Sequence, residues 1–259
     1  MQDRYTGDKG DFGKLGLLRA LCGLNDPSRL RLGVVWYLVP DESHNKDGKH
    51  TNYLLGGSPE FRNCDSTLYD GLRGLLVDDR GEVVPDRRSV ATVENSSLFP
   101  SDTIFYSDLL QYQNGTHFKD RLIVRSEWLI RALRATVQAD IVFVDPDNGI
   151  ECQSVSKTAG KGPKYVCWDE IEAFTDRNQT VVVYHHLNRS CASSDQVILL
   201  RQQFKNRLPD GFTTLDIVFK RGTRRAFFIA AAPDHRDALT RRLSHMLNSH
   251  WGEHFIRTA

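Results

Sequence analysis

The sequence predicts one α/β domain with a mostly parallel sheet, helices on both faces and an antiparallel hairpin at one edge. Continuous apolar runs alternate with helix-like stretches along the 259 residues, which is typical of parallel strands buried on both sides. Near the end, two strand-like runs follow each other around Gly222, as expected for a hairpin. The length allows one large domain or two small ones, and we favour a single domain over residues 1–259.

Leucines at helical spacing predict a first helix over residues 12–24, with Asp11 as its N-cap. A run rich in Val, Trp and Tyr predicts a buried strand over residues 30–40. We then expect a polar loop over 41–62, a helix over 66–77, and a strand or the start of a helix over 103–110. The irregular region 78–102 is interpreted as an insertion rather than a domain linker.

The second half of the chain shows the same alternation. An amphipathic pattern predicts a helix over residues 126–137, with Ser126 as its cap. The elements expected after it are a strand over 139–146, a helix over 164–177, a strand over 179–186, a helix over 194–208, a hairpin over 213–233 and a closing helix over 234–251.

The composition is ordinary for a globular protein. Lys plus Arg number 34 and Asp plus Glu 33, so the formal net charge is +1 and gives no global attraction to polyanions. The five cysteines are scattered without a C-x-x-C pair, which favours reduced thiols over a zinc ribbon or a disulfide framework. We see no secretory signal and no apolar run of roughly 20 residues. We therefore expect a cytoplasmic protein without a membrane partner.

Polar residues follow three of the predicted strands. They are Asp41, Glu42, His44 and His50 after the first, "DPDNGIE" (145–151) after the second, and Tyr184, His185, His186 and Arg189 at the end of the third. Because ligands of open parallel sheets bind beyond the carboxyl ends of the strands, we expect these residues to gather at one edge. Asp-Pro-Asp-Asn-Gly is also favourable turn chemistry, so that stretch alone allows a purely structural interpretation.

The N-terminal stretch "RYTGDKGDFGK" has a glycine at every third position, Gly7, Gly10 and Gly13. These glycines allow either a close backbone approach to a ligand or a flexible entry to the fold. Lys14 falls in the first turn of the predicted helix, where the macrodipole disfavours a cation. It therefore either has an anionic partner or is solvated.

The order of these features resembles the large-subunit ribosomal RNA adenine-N6 methyltransferases of the J type and their wider Rossmann-like, S-adenosylmethionine-dependent relatives. In that family a Tyr, a Gly/Asp-rich stretch and a Lys precede the first helix, and Tyr5, Gly7, Asp11 and Lys14 stand at those places here. "VVWYLVPDESHNKDGKH" is similar to the cofactor strand and its loop. "VFVDPDN" is similar to a strand that ends in an Asp-Pro-Pro-aromatic motif, and "VVVYHHLNR" to the strand after it.

The resemblance implies a Rossmann-like fold, S-adenosylmethionine as cofactor, and nucleic acid as substrate, with an adenine amine favoured. The candidate cofactor-binding residues are Tyr5, Asp11, Lys14, Asp41, Glu42 and His44. The candidate catalytic residues are Asp145, Pro146, Asp147, Asn148, Glu151 and His185.

The sequence departs from the family in two places. Pro40, Asp41 and Glu42 stand where the family has a glycine-rich turn, and Asp147 and Asn148 replace the second Pro and the aromatic residue of the motif. In the motif the Asp side chain and the first Pro carbonyl accept hydrogen bonds from the target amine, while the ring stacks on the base. Stacking contributes about 1–3 kcal/mol per base, so Tyr5 or Tyr184 would have to supply the ring.

Two alternatives remain open at the level of sequence. Asp145, Asp147 and Glu151 are hard oxygen ligands suited to Mg²⁺ or Mn²⁺, and would make the protein a metal-dependent nuclease or phosphodiesterase with His185 or His186 as general base. Adjacent histidines on a strand point to opposite faces, so at most one of them faces the site. The second alternative is a catalytically inactive Rossmann-like binding module.

Nucleic acid is a candidate partner under both enzymatic hypotheses. The stretch "KRGTRR" (220–225) places four cations around the predicted hairpin turn, and Arg241 and Arg242 lie on the last helix. Such clusters contact phosphates in some proteins, but charged hairpin tips are also common solubilising features of sheet edges.

Overall fold

A seven-stranded sheet forms the centre of the computed structural model, which describes residues 1–24, 26–44, 48–188 and 191–257. The strands of these residues are β1 (Leu32–Val35), β2 (Ile104–Tyr106), β3 (Ile141–Val144), β4 (Gly149–Ile150), β5 (Tyr165–Val166), β6 (Thr180–His186), β7 (Thr213–Phe219), β8 (Arg225–Ala231) and β9 (Phe255–Ile256). The sheet order is β2-β1-β3-β6-β8-β7-β9, and β4 pairs with β5 in a separate two-stranded ribbon.

The first four strands of that order are parallel to one another. β8 runs antiparallel to both β6 and β7, and β9 pairs antiparallel with β7. The predicted fold class, a mostly parallel α/β sheet with an antiparallel hairpin towards one edge, is therefore confirmed.

The helices are α1 (Lys9–Cys22), α2 (Pro59–Arg62), α3 (Ser66–Leu76), α4 (Val90–Glu94), α5 (Phe118–Ala135), α6 (Trp168–Thr175), α7 (Ser193–Arg207) and α8 (Arg236–Leu247). Helices α1, α3, α4 and α8 contribute to one apolar core against the sheet, and α5, α6 and α7 to the other. Along β1, Val34 faces the first core and Val35 the second, as the two-residue period of a strand requires. Within the described ranges, no helix is both long and apolar enough to cross a bilayer.

Several elements differ from the sequence-based expectation: α2 lies in the region expected as a loop, and α8 ends at Leu247 rather than at 251. Helix α1 begins at Lys9, and its N-cap is Asp8 rather than Asp11, because the Asp8 carboxylate accepts the Asp11 N–H at 2.7 Å. Helix α5 begins at Phe118, well before the expected cap Ser126. The stretch expected as one helix over 164–177 contains β5 and then the shorter α6.

The irregular region 78–102 is tied to the domain by its apolar side chains. It contains α4, and Val90, Val93, Leu98 and Phe99 are buried in the first core. The Val90 N–H also donates to the Asp3 carboxylate at 2.8 Å.

The connections around β1 and β3 create a switch point in the sheet. β1 is followed along the chain by β2 on one side, whereas β3 lies on its other side and is followed by β6 further out in the same direction. In open α/β sheets, the crevice outside the carboxyl ends of the strands at such a point is where ligands bind.

Candidate functional site

A cavity of about 300 Å³ lies at the carboxyl ends of β3 and β6. It is lined by the N-terminal segment and the start of α1, by the loop after β1, by the ends of β3 and β6, and by the start of β8. The lining residues are Met1, Tyr5, Asp8, Gly10, Asp11, Lys14, Gly48, Lys49, His50, Asp145, Pro146, Asp147, Asn148, Tyr184, His186, Thr223 and Arg225.

A buried lysine neutralises the first acid of the "DPDN" stretch. The Lys14 ammonium lies 2.6 Å from Asp145 Oδ2 and 3.1 Å from Asp11 Oδ1. Lys14, Asp11 and Asp145 are all buried. The ammonium also lies 5.6 Å from the centre of the Trp36 ring and 5.7 Å from that of Tyr184, within the range of cation–π attraction. Of the two sequence-based alternatives for Lys14, the anionic partner is therefore correct.

The charges around Lys14 keep it protonated despite its burial. Burial by itself lowers the pKa of Lys14, but the carboxylates of Asp145 and Asp11 outweigh it and raise the pKa above its usual value. The pKa of Asp11 is raised because the effect of burial exceeds the opposite effect of the Lys14 charge. Asp145 therefore faces the cavity as a hydrogen-bond acceptor beside a permanent cation, which suits it to hold a donor group of a ligand.

The second acid, Asp147, belongs to a polar cluster that joins three loops. Asp147 Oδ2 accepts hydrogen bonds from the Gln2 amide at 2.8 Å and from Lys164 at 2.9 Å. Lys164 also contacts Glu42 Oε1 at 2.6 Å, and the Glu42 N–H donates to Gln2 Oε1 at 2.9 Å. This cluster brings the polar residues after β1 beside those after β3, as expected from the sequence.

The same contacts set the charge states in the cluster. The hydrogen bond that Glu42 accepts from Lys164 lowers the pKa of Glu42, and burial acts in the opposite direction. Burial would raise the pKa of Asp147, but the positive charges of the Met1 amino group and of Lys164 outweigh it and lower the pKa. Both carboxyl groups are thus anionic at neutral pH.

Arg225 contributes a cation to the cavity wall beside Asp8. Its side chain is largely buried, with Nη2 3.6 Å from Asp8 Oδ2 and Nη1 donating to the Thr223 carbonyl at 2.9 Å. The guanidinium packs directly on Gly10 of α1, where any Cβ would overlap with it. Arg225 is therefore part of the site, whereas the sequence placed it only on a charged hairpin tip.

The N-terminal glycines serve packing rather than flexibility. A Cβ at Gly13 would meet the Phe219 ring, just as one at Gly10 would meet Arg225. Gly7 precedes the helix with φ +75°, a backbone conformation that favours glycine. The stretch thus brings α1 close to the sheet and positions Asp11 and Lys14 in the cavity wall.

The other predicted site residues divide into two groups. Tyr5, Pro146 and Asn148 line the cavity with the residues described above. Asp41 and His44 do not line it: Asp41 Oδ1 accepts the Arg4 N–H at 3.2 Å, and His44 is exposed. The loop after β1 instead contributes Gly48, Lys49 and His50 to the cavity. Arg189 lies outside the described residues.

The choice of His185 as the site histidine is corrected by the position of its ring. His186 lines the cavity, whereas His185 Nδ1 accepts the Ile150 N–H at 3.1 Å and its ring lies edge-on to Phe228. Burial, followed by the charge of His186, lowers the pKa of His185 to about 4. Since adjacent strand residues point to opposite faces, one histidine was bound to be structural, and it is His185.

Glu151 lies away from the two aspartates of the cavity. Its Oε1 accepts the Trp168 N–H at 2.9 Å at the start of α6, a position where the helix dipole favours a carboxylate. Asp145 and Asp147 are each paired with a lysine. Over residues 1–24, 26–44, 48–188 and 191–257, no group of three or more His, Cys, Asp or Glu side chains is arranged to hold a metal ion.

Sequence reasoning did not select Asp8, Lys49 or Arg225 as site residues. Arg225 carried a signal, because it starts a strand that pairs with the end of β6. Lys49 carried none beyond its place in a polar loop.

Fold and cavity together define a Rossmann-like α/β protein with a charged crevice at its switch point. No family model and no curated protein matches the sequence. Among solved structures, the chain is similar to protein LPL1258 from Legionella pneumophila str. Philadelphia 1, described under the family model DUF519, with a TM-score of 0.45 and 12% identity over 96% of each chain.

Proposed function

We propose that the protein is an S-adenosylmethionine-dependent methyltransferase that acts on an amine of nucleic acid, with an adenine amine as the favoured target. The observation that carries the proposal is that Asp145, Pro146 and Asn148 line a cavity at the switch point of the sheet. Asp145 and Pro146 resemble the first two residues of the amine-binding motif of the adenine methyltransferases, and Asn148 stands at the place of its aromatic residue.

The cavity has the chemistry that the cofactor requires. Its volume of about 300 Å³ is at the lower end of the range for small-molecule sites. Its wall carries the carboxylate of Asp8 and the cations Lys49 and Arg225, which suits a ligand with both an ammonium and a carboxylate. When bound, S-adenosylmethionine would supply the electrophilic methyl group.

Asp145 orients the target amine in this proposal. The Lys14 ammonium lies 2.6 Å from Asp145 Oδ2 and stays cationic, so it fixes the position of the carboxylate beside the cavity. The carboxylate accepts a hydrogen bond from the amine and aligns it, and most of the rate enhancement then comes from positioning. Lys14 acts through Asp145 and is a positioning residue.

Tyr5 is the better of the two candidates for the stacking surface that Asn148 does not provide. Tyr184 is buried, with its ring edge-on to Phe227 at 5.8 Å and the Lys14 ammonium over its face. Tyr5 lines the cavity and is only partly buried. A base that enters the cavity would therefore stack on Tyr5.

The arrangement of charges disfavours the nuclease alternative. A divalent cation at Asp145 and Asp147 would have to displace or repel Lys14 and Lys164, which lie within 3 Å of those carboxylates. Glu151, the third metal ligand in the nuclease hypothesis, already accepts a hydrogen bond from the Trp168 N–H at the start of α6. A methyltransferase site has no such conflict, since its ligand presents hydrogen-bond donors rather than a metal ion.

The test is calorimetric titration of the full chain with S-adenosylmethionine to millimolar concentration, followed by transfer of labelled methyl groups to RNA and DNA. We expect binding by the wild type and by Asp145→Asn, with transfer reduced roughly 100-fold or more in the variant because amine alignment is lost. The control is Asp234→Asn, an exposed aspartate that should behave as the wild type. Absence of cofactor binding would overturn the proposal and favour an inactive binding module, whereas metal-dependent cleavage would favour the nuclease.

A further inference from the structure

Helix α5 exposes a concentration of large apolar side chains to solvent. Ile123 is 56% exposed and Ile130 46%, and Val137, two residues beyond the helix, is 58% exposed. The opposite side of the same helix is buried through Arg125, Trp128 and Ala132. A helix on the surface of a globular protein normally presents polar residues outward, so this outward face needs an explanation.

Ile123, Ile130 and Val137 form one stripe among the exposed apolar residues of this region, which also include Phe118, Leu122 and Val124. Ile123, Ile130 and Val137 are separated by seven residues each, and seven residues are close to two helical turns. Ile123 and Ile130 are therefore about 10 Å apart along α5 at a rise of about 1.5 Å per residue, and Val137 follows in the turn after the helix. A residue that recurs every seven positions returns to nearly the same side of a helix, so two such helices can face each other along this side.

Charged residues of opposite sign flank the stripe on one side. Glu127 and Arg134 are both exposed and are also seven residues apart. Neither forms a salt bridge within the part of the chain that the structure describes. Both charges are therefore placed to meet a partner that lies along the stripe.

We propose that α5 is the interface of a homodimer in which two copies of the helix pack antiparallel. A two-fold axis that crosses the helix between Ile130 and Arg131 places Glu127 of each copy opposite Arg134 of the other. The apolar stripes then cover each other. A parallel pair would instead place Glu127 against Glu127 and Arg134 against Arg134, so the charge pattern selects the antiparallel arrangement.

The proposed interface uses no residue that lines the cavity and does not depend on the proposed function. A single pair of helices buries less than the roughly 1,600 Å² of a standard stable interface. We therefore expect a reversible dimer with a dissociation constant on the order of 10 µM. Its strength should fall moderately with salt, because the rim charge pairs are exposed to solvent.

Sedimentation equilibrium of the full chain up to about 100 µM tests the interface. The wild type should populate a species of twice the monomer mass, and Ile130→Asp should abolish it. The matched control is Leu199→Asp on α7, which changes a residue that is 60% exposed but lies outside the stripe, and it should dimerise as the wild type. A monomeric wild type, or equal effects of the two substitutions, would overturn the proposal.

Charge reversal tests the orientation without burying a charge. Glu127→Arg alone and Arg134→Glu alone each create like-charged pairs at both ends of the interface, and each should weaken dimerisation roughly tenfold at low salt. Mixing these two variants should restore association, since every facing pair then has opposite charges. The double variant Glu127→Arg/Arg134→Glu should also dimerise as the wild type. If the mixture associates no better than its components, α5 is not the interface.

Discussion

The Lys14 ammonium lies 2.6 Å from the Asp145 carboxylate, in a site where both side chains are almost fully buried. This contact joins the first helix to the tip of β3, two elements whose residues are 131 positions apart in the chain. It holds the acid of the "DPDN" stretch in the cavity wall and balances its charge.

Removal of Lys14 should destabilise the fold strongly. In Lys14→Met, Asp145 is left buried without a cation, and loss of one partner of a buried pair costs about 3–5 kcal/mol. The double variant Lys14→Met/Asp145→Leu should lose less than the sum of the two single changes, because the unpaired charge of Asp145 is removed together with Lys14 and only Asp11 loses its cation. Urea unfolding of the four proteins measures this coupling, and additive losses would show that the pair is not coupled.

Arg125 should be as important to stability as any core residue. It is fully buried, donates to both carboxylate oxygens of Glu170 at 2.6 and 2.9 Å, and also donates to the carbonyls of Gly162 and Tyr165. We expect Arg125→Met to lower the free energy of unfolding by about 3–5 kcal/mol. Arg131→Met, on the exposed face of the same helix, should lower it by less than about 1 kcal/mol. Similar losses from both substitutions would contradict this account.

Gly10 and Gly74 should respond in opposite ways to alanine. In an open helical position, Gly→Ala stabilises by up to about 1 kcal/mol, and Gly74 of α3 has no atom within 4 Å of a new Cβ. At Gly10 the Cβ would overlap with the Arg225 guanidinium, so Gly10→Ala should destabilise. Adding Arg225→Ala to Gly10→Ala should recover part of the loss. Thermal unfolding of these variants provides the comparison.

His185 should make the protein less stable in mild acid. Burial, followed by the charge of His186, lowers its folded pKa from 6.5 to about 4, so the ring is neutral in the folded protein at pH 5 and protonated in the unfolded chain. The stability that the neutral His185 ring contributes to the fold is thus intact above pH 6.5 and is lost as the pH falls towards 4. Between pH 7 and 5 the loss is about 2 kcal/mol.

The variant His185→Asn isolates this effect, because an amide oxygen can still accept the Ile150 N–H but does not titrate. Its free energy of unfolding should fall less between pH 7 and 5 than that of the wild type. His245→Asn, which changes an exposed histidine, should keep the wild-type dependence. Equal slopes for all three proteins would show that His185 is not the group responsible.

Much of the fold was predictable because local sequence patterns indicate the strands and helices. The apolar runs of β1, β3 and β6 and the Gly222 hairpin were found where the sequence placed them, since burial on both faces requires an uninterrupted apolar strand. The start of α5 was missed because residues 118–125 combine exposed apolar side chains with a buried arginine, Arg125, which is the reverse of a normal amphipathic pattern.

The site was predictable only in part. The rule that ligands gather beyond parallel strand ends correctly brought Asp147, Glu42 and Tyr184 to one edge. It gave no means of knowing that Glu151 turns away to α6, or that His186 rather than His185 faces the cavity. Those outcomes depend on which side of a strand or loop each residue occupies, and a shift of one residue reverses that side.

The sequence by itself determined the α/β class, the order of the central strands β1, β3 and β6 and the edge of the sheet where polar residues collect. These features follow from periodicities of two and 3.6 residues, which a single segment carries without reference to the rest of the chain. Only the tertiary structure decided that Lys14 and Lys164 neutralise Asp145 and Asp147, and that Arg225 packs on Gly10. Charge pairing acts over a few ångströms between residues that are far apart in sequence, so it is fixed only when the helices dock on the sheet.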